Sequence, residues 1–489
     1  MACAHGESDR HVATINILPD DILLEIFAFR LPDFDSHLAS IRHMRVWQRL
    51  MHVCQRWRRI VYASPRYLDL HLYCSSETTF RKNLSLWPEF PLAVESSLPD
   101  DQDDFIAVLE HPDRVRRVDL TAEITKPHVV EVMRVPFPAL THLQLTGPKD
   151  EGYDPDVLDL PDDLLGGSAP CLRHLILGNL TFPGLPTLLS SAHDLVSLDL
   201  YSVPPTGYDR GYISPKEMAS SLAVLTKLRT LSIDRYSLLI PSHEERRRPD
   251  PPMLTVLPAL TQFVFGRDFE YLEDLVAQID APRVEDIRIE YSMKEVQTRQ
   301  LSQFIGRSNL KRAQFRRAKV TFGSYRIYIN LDLPQGECLQ AKFFIEMVPR
   351  HATAVSQIMC VVHVLDQLVA MTSKVDHLQL DLSFWITTPS QVGQEGEWLP
   401  LLHLFSAVEV LEVFGGLVGC IASALEDTAE ETPTISLPEL QLLWLGDDNC
   451  KKPERFLSSR QLSGRPIIIV DTQDEFVERL NAHWKEKIL

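Results

Sequence analysis

The sequence predicts an α/β protein: a small helical domain followed by an irregular array of repeat units whose strands stack into a curved parallel sheet. Three observations carry this. Two segments near the start place apolar residues at helical period. From residue 115 onward an apolar triplet at i, i+3 and i+5 recurs at intervals of 23 to 33 residues, with one interval of 65. Proline stands two residues ahead of several of those triplets.

Composition sets the outer bounds. The chain has 489 residues, 45% apolar and 24% charged, the balance of a folded globular protein rather than a disordered, collagenous or rod-like one. Eight cysteines without a CxxC pair disfavour a disulfide scaffold or a zinc ribbon, so reduced, mostly buried thiols are expected. No apolar run reaches the roughly 18 residues of a membrane span, and the first fifteen residues lack the apolar stretch of a secretory signal. A cytosolic or nuclear protein is expected, for which the sequons at Asn83 and Asn179 carry no weight. The net charge of −18 disfavours nucleic acid and anionic membranes as partners. One segment departs from that balance: residues 37–67 hold seven arginines and no acid.

Residues 1–14 read as a polar tail and residues 15–67 as the helical domain. In residues 15–29, Pro19 suits a first helical turn, and Asp20 and Asp21 suit its positive end. Ile22 with Ile26, and Leu23 with Phe27, form i,i+4 pairs, so this helix needs partners on more than one side. The second helical segment carries Val46, Leu50, Val53, Cys54, Trp57, Ile60 and Val61 in one stripe, with Arg45, Arg49, Arg56 and Arg59 off it, and ends at Ser64-Pro65.

These blocks, Leu18-Pro19-Asp20-Asp21-Ile22, Ile26-Phe27, Val53-Cys54-Gln55-Arg56-Trp57, Ser64-Pro65 and Leu68, resemble an F-box in order and residue type. Three features depart from the family pattern. Asp21 stands where a glutamate is usual, Phe27 and Val53 are 26 positions apart with residues 30–36 resembling an inserted loop, and the closing tryptophan is replaced by the run from Arg66 to Asp69. The resemblance implies a three-helix domain that docks on a Skp-type adaptor and through it on a cullin. It implies adaptor-binding roles for Leu18, Pro19, Ile22, Leu23, Ile26, Phe27, Val53, Cys54 and Trp57. It further implies a substrate receptor of a ubiquitin ligase, not a catalyst, and the acidic adaptor of the family suits the arginine-rich face. The other reading of both helices is an amphipathic cap on the repeats.

The repeat triplets start at Val115, Leu140, Leu172, Leu195, Leu228, Leu260, Val284, Leu310, Val375, Val408 and Leu440. Apolar spacing alone is weak evidence, since a chain of this composition holds on the order of 40 such triplets by chance. The flanks are stronger: Pro138, Pro170, Pro258, Pro282 and Pro438 precede five of the eleven starts at one offset, where composition alone predicts fewer than one. In the long interval Tyr325, Ile327, Ile329, Leu331 and Leu333 alternate, as a strand holding the place of a degenerate repeat would. The array resembles leucine-rich repeats of irregular length, spanning residues 113–489. Residues 68–112, with the alternating runs at 68–72 and 91–95, are expected to form irregular first units joining it to the helical domain without a flexible linker. Helices or loops at 185–191 and 218–225 are expected to return the chain, and loops are expected at 100–104, 147–163, 204–211, 241–252 and 426–433.

No zinc-peptidase, phosphate-loop or serine-nucleophile motif is present, so no catalytic site, metal or cofactor is expected. Gly415-Gly416 reads as a turn, and Cys171 with His174 as strand core rather than half a metal site. The basic clusters Arg246 to Arg248 and Arg312, Arg316, Arg317 and Lys319 read as charge balance, the other reading being paired donors for acidic or phosphorylated ligands. Trp385, Trp398 and Trp444 are aromatic anchor candidates, Trp444 on the concave face. The reading that unites these features is a substrate-recognition subunit holding an unidentified protein substrate on its repeats. Its alternatives are a repeat scaffold without a role in ubiquitin transfer and, against the net charge, a nucleic-acid or chromatin binder working through the arginine-rich helix.

Overall fold

The computed structural model describes residues 15–30, 46–65, 67–68, 70–74, 90–96, 102–120, 127–147, 158–203, 213–236, 254–267, 269–293, 298–323, 326–333, 342–349, 354–382, 398–431, 437–446, 452–470 and 472–488. The chain is mixed α/β and divides after Thr146 into two compact units. The polar tail, Trp385, Arg246 to Arg248, and the expected loops at 204–211 and 241–252 lie outside the described residues.

The first unit begins with three helices: α1 (Asp20–Arg30), α2 (residues 46–53) and α3 (Gln55–Ala63). The single stripe expected over residues 46–61 is in fact broken at Cys54, whose backbone is extended and caps α3. The break turns Val53 outward, 59% exposed, and the inward side chains of α2 are instead Trp47 and Met51. Trp47 stacks on Phe90 with centroids 5.6 Å apart, and Tyr62 meets Phe90 edge-on at 5.8 Å, so the helices pack directly on the strands that follow.

Those strands are β1 (Leu72–Cys74), β2 (Leu92–Ser96), β3 (Val115–Leu120) and β4 (His142–Thr146), all parallel and in sequence order. The alternation expected over 68–72 yields a strand only from Leu72. Leu68 and Leu70 instead close a turn, donating to the carbonyls of Ser64 and Pro65. Helix Gln102–Leu109 occupies part of the expected loop at 100–104.

The second unit holds β5 (Leu158–Asp159), β6 (His174–Gly178), β7 (Leu180–Thr181), β8 (Ser197–Val203), β9 (Thr230–Tyr236), β10 (Thr255–Val256), β11 (Gln262–Arg267), β12 (Ile279–Asp280) and β13 (Asp286–Met293). It continues with β14 (Arg317–Phe322), β15 (Ile327–Asp332), β16 (Lys342–Pro349), β17 (His377–Leu382), β18 (Val410–Val413), β19 (Leu442–Leu445) and β20 (Ile468–Val470). Strands β6, β8, β9, β11 and β13 stack parallel in chain order, as do β17 to β20, while β5–β7 and β10–β12 form small pairs apart. Helices Leu185–Ser191 and Pro215–Leu222 return the chain, the second capped by the Ser214 hydroxyl with Pro215 in its first turn. Helix Leu417–Glu431 replaces most of the expected loop at 426–433.

The strand punctuation has a simple cause. The amide at the first triplet position donates to the carbonyl three residues back, as in Leu140 to Phe137 at 3.1 Å, Leu172 to Ala169 at 3.1 Å and Leu260 to Leu257 at 3.3 Å. Proline fills the second position of that turn, where its fixed φ is already correct. The three apolar residues of each unit are then buried, for example Leu195, Leu198 and Leu200.

The long interval departs from expectation in two ways. Leu310 is buried in a short 3-10 turn (Asn309–Lys311), not ahead of a strand, and the triplet that precedes β14 is Phe315, Ala318 and Val320. Ile327, Ile329 and Leu331 do alternate inward on a strand, β15, but it runs antiparallel to both β14 and β16. The chain therefore makes an up-down-up meander that enters the sheet in reverse order, β16 beside β13 and β14 beside β17. The sheet is mostly, not wholly, parallel.

Register assigns the two faces. Phe263, Ile287, Phe343, Leu331, Ala318, Leu378, Leu411 and Leu443 form one row, all buried, and Phe263 meets Phe304 of helix Arg299–Arg307. The opposite row reads Gln262, Asp286, Lys342, Asp332, Arg317, His377, Val410 and Leu442. Trp444 belongs to this opposite face but is only 7% exposed, so it is not an open anchor as expected. Trp398 is buried against Phe322.

Candidate functional site

The nine residues assigned to docking divide by exposure. On α1 the pair Leu23 and Phe27 points inward and is fully buried, while Ile22 and Ile26 are 44% and 37% exposed. That division follows from helical geometry, because successive i,i+4 pairs lie on adjacent rows about 100° apart. Phe27 packs on Trp57 of α3 with ring centroids 4.8 Å apart and planes tilted by 58°. Pro19 is exposed, Leu18, Cys54 and Trp57 are half-buried, and Val53 is exposed. Leu23, Phe27 and Trp57 thus build the small core, and Pro19, Ile22, Ile26 and Val53 face solvent.

Polar contacts hold this edge in place. The Arg56 guanidinium donates to Asp20 Oδ1 at 2.6 and 2.9 Å and to the Leu18 carbonyl at 2.6 Å. Across the break at Cys54, Arg58 Nε donates to the Met51 carbonyl at 3.1 Å, and Cys54 Sγ accepts the Trp57 amide at 3.5 Å. Tyr67 donates to the Glu25 carboxylate, a bond that pushes the Tyr67 hydroxyl pKa up. The arginine-rich face is therefore not uniformly available to an acidic partner: Arg56 is committed within the domain, whereas Arg49 and Arg59 are exposed.

Two features escaped the sequence reading. Phe29 is 90% exposed and extends the Ile22, Ile26 row at i, i+4, i+7, a spacing that was present in the sequence. The role of Arg56 had no local signal, because its partners lie 36 and 38 positions away.

Elsewhere, around β14, Arg316 pairs with Asp376 and Lys319 with Asp381 at 3.4 Å, while Arg317 donates to the neutral side-chain oxygen of Gln379 at 2.8 Å. Cys171 is exposed, correcting its assignment to a strand core, and His174 opens β6 half-buried. Among the described residues no group of three or more His, Cys, Asp or Glu is placed to hold a metal ion. No helix among them is long and apolar enough to cross a membrane.

Comparison with protein families matches residues 15–72 to the F-box-like family. The matched span covers α1, α2 and α3 and reaches the first residue of β1. The chain thus carries an F-box-like domain, a type that binds Skp-type adaptors. No curated protein matches the chain.

Proposed function

We propose that this chain is the substrate-recognition subunit of a Skp-cullin-F-box ubiquitin ligase. One observation carries the reading: the F-box-like match falls on helices whose Pro19, Ile22 and Ile26 face solvent while Leu23 and Phe27 hold the core. Exposed aliphatic side chains on a short helix have a reason to be there when a partner covers them. In this reading Pro19, Ile22, Ile26, Phe29 and Val53 meet the adaptor, and Leu18, Cys54 and Trp57 support them from beneath. The mostly parallel sheet with its proline-marked turns is an irregular leucine-rich-repeat array that holds a protein substrate. The chain supplies no catalytic group. It raises the rate of ubiquitin transfer by holding substrate near the charged conjugating enzyme, an effect of proximity alone. The protein works in the cytosol or nucleus.

The test is co-purification of the full chain with a Skp-type adaptor, beside a variant carrying Ile22→Asp and Ile26→Asp. A stoichiometric complex that survives high salt and is lost in the variant, at unchanged thermal unfolding, is the expected result. A wild-type chain that stays alone overturns the proposal and leaves a repeat scaffold capped by its helices. Binding to DNA that falls steeply with salt would instead mark phosphate contacts.

A further inference from the structure

The last helix of the chain, Gln473–Ile488, lies on the sheet face opposite the return helices. On that face Gln262 and Asp286 are half-exposed and Lys342 is exposed, whereas Val410 and Leu442, in the same row, are buried. The difference is the helix. Phe476 stacks on Trp444 with centroids 4.8 Å apart and joins Val410, Leu442 and Val470 in one cluster, against which Leu480 and Trp484 also pack. Two turns beyond Phe476, Trp484 lies over His377 at 6.4 Å, with the Arg316 guanidinium 5.9 Å from its ring. His483 Nε2 is 2.9 Å from Glu409 Oε2, and His377 Nε2 is 2.5 Å from Glu412 Oε1.

The anchors Phe476, Leu480, His483 and Trp484 fall at i, i+4, i+7 and i+8, so among the described side chains the helix is held by one side. Val477, Glu478, Asn481 and Ala482 on the other side are exposed. Of the four anchors only Phe476 is fully buried. The helix is tethered to β20, whose ladder with β19 is three residues long. A helix of 16 residues has little stability in water once detached, so leaving the sheet also unfolds it.

We propose that the face of β17, β18 and β19 is a docking surface for an amphipathic helix. The closing helix is its resident occupant, and a partner helix with aromatic residues eight positions apart displaces it. The occupant defines the ligand chemistry. One ring lies flat on Trp444, a second stacks on His377 within reach of Arg316, and a neutral or cationic group faces Glu409. The inference concerns this surface alone and stands whether or not the adaptor reading holds.

Two measurements on the full chain test it. By hydrogen exchange the amides of Gln473–Ile488 should exchange at least about 100-fold faster than those of β18 and β19, as a locally opening segment does. A labelled peptide of residues 472–489 should bind the Phe476→Ala, Trp484→Ala full chain saturably. It should bind the wild type about 100-fold more weakly, because the tethered helix competes at high effective concentration. The peptide carrying the same two alanines should not bind. Helix amides that exchange together with those of β18 and β19 overturn the proposal, as does a wild-type peptide that binds no better than the alanine peptide. Should the double variant fail to fold, the exchange measurement on the wild type decides.

Discussion

Arg56 ties the start of α1 to α3: its guanidinium meets Asp20 Oδ1 at 2.6 Å while also donating to the Leu18 carbonyl at 2.6 Å. Both partners flank Pro19, so the arginine fixes the exposed edge that the F-box-like domain presents. The ion pair itself is solvated, and such pairs contribute about 0.2–1 kcal/mol. Asp20→Asn should therefore lower stability by less than about 1 kcal/mol. Arg56→Gln should lower it by more, because the Leu18 carbonyl also loses a charged donor. Adaptor affinity should fall further in Arg56→Gln than in Asp20→Asn, measured by calorimetry on purified full chain. Equal affinities in the two variants would remove the Leu18 contact from the account.

Trp57 is the second test of this small core. Its ring lies against the fully buried Phe27 but is itself half-exposed. Trp57→Ala should lower the stability of the helical domain by about 3 kcal/mol, the low end for a large aromatic truncation. Ile26→Ala, at an exposed site on the same helix, should change it by less than about 0.5 kcal/mol. Exchange protection of α3 amides separates the two outcomes. A Trp57→Ala loss as small as that of Ile26→Ala would mean that Phe27 finds its packing elsewhere.

How far the sequence revealed this arrangement depended on the range of the forces involved. Local patterns were legible: Ile22 and Leu23 announced two faces of α1, Leu185–Ser191 returned the chain as a helix where a helix or a loop was expected, and Val375, Leu378 and Leu380 were buried as their spacing required. What failed was set by contacts between distant residues. Leu310 has the right spacing, yet Phe315, Ala318 and Val320 took the strand because the following hairpin pairs β14 with β15. The helical stripe through Val53 was interrupted at Cys54, where capping of α3 overrode periodicity. Trp444 lies on the sheet face opposite the apolar row, but its cover, Phe476, lies 32 positions further along the chain.

The proline turns allow a quantitative check. Pro258 sits second in the turn closed by the Leu260 amide on the Leu257 carbonyl, and alanine can take the same conformation there. Pro258→Ala should therefore leave the fold intact and lower stability by about 0.4–1 kcal/mol, through added freedom of the unfolded chain. Pro138→Ala and Pro438→Ala should behave alike, and the effects of such separated sites should add. Denaturant midpoints of the single and combined variants give the answer. A loss several times larger would mean that the ring itself packs against a neighbouring unit.

Asp199 supplies a pH test. Burial on the sheet face pushes its carboxyl pKa up, while the Ser232 hydroxyl lowers it and nearby Asp234 raises it. A raised folded-state pKa means that the folded protein binds a proton the unfolded chain has already released, so stability at this site falls as pH rises through the raised value. Asp199→Asn removes that penalty. The variant should be more stable than wild type near neutral pH, and the advantage should vanish as pH falls toward the ordinary carboxylate range. Denaturation at about pH 7 and about pH 4.5 measures both. An advantage that is the same at both values would show that the carboxylate charge is not its source.

Gly178 closes β6 beside Tyr201 of β8, and the two are register partners. A Cβ at residue 178 would stand 2.3 Å from the Tyr201 ring and 2.8 Å from its hydroxyl, too close for any side chain. Glycine is therefore required by the ring lying across it, not by its own backbone, since its φ is not in the left-handed region. Gly178→Ala should lower stability by about 1–3 kcal/mol, the range for an overpacked site. Tyr201→Ala removes the obstacle, so adding Gly178→Ala to it should cost little further, a coupling that a double-mutant cycle reads directly. If the two effects simply add, the ring has room to swing away, and the conformation of Tyr201 over Gly178 is not what holds β6 and β8 in this packing.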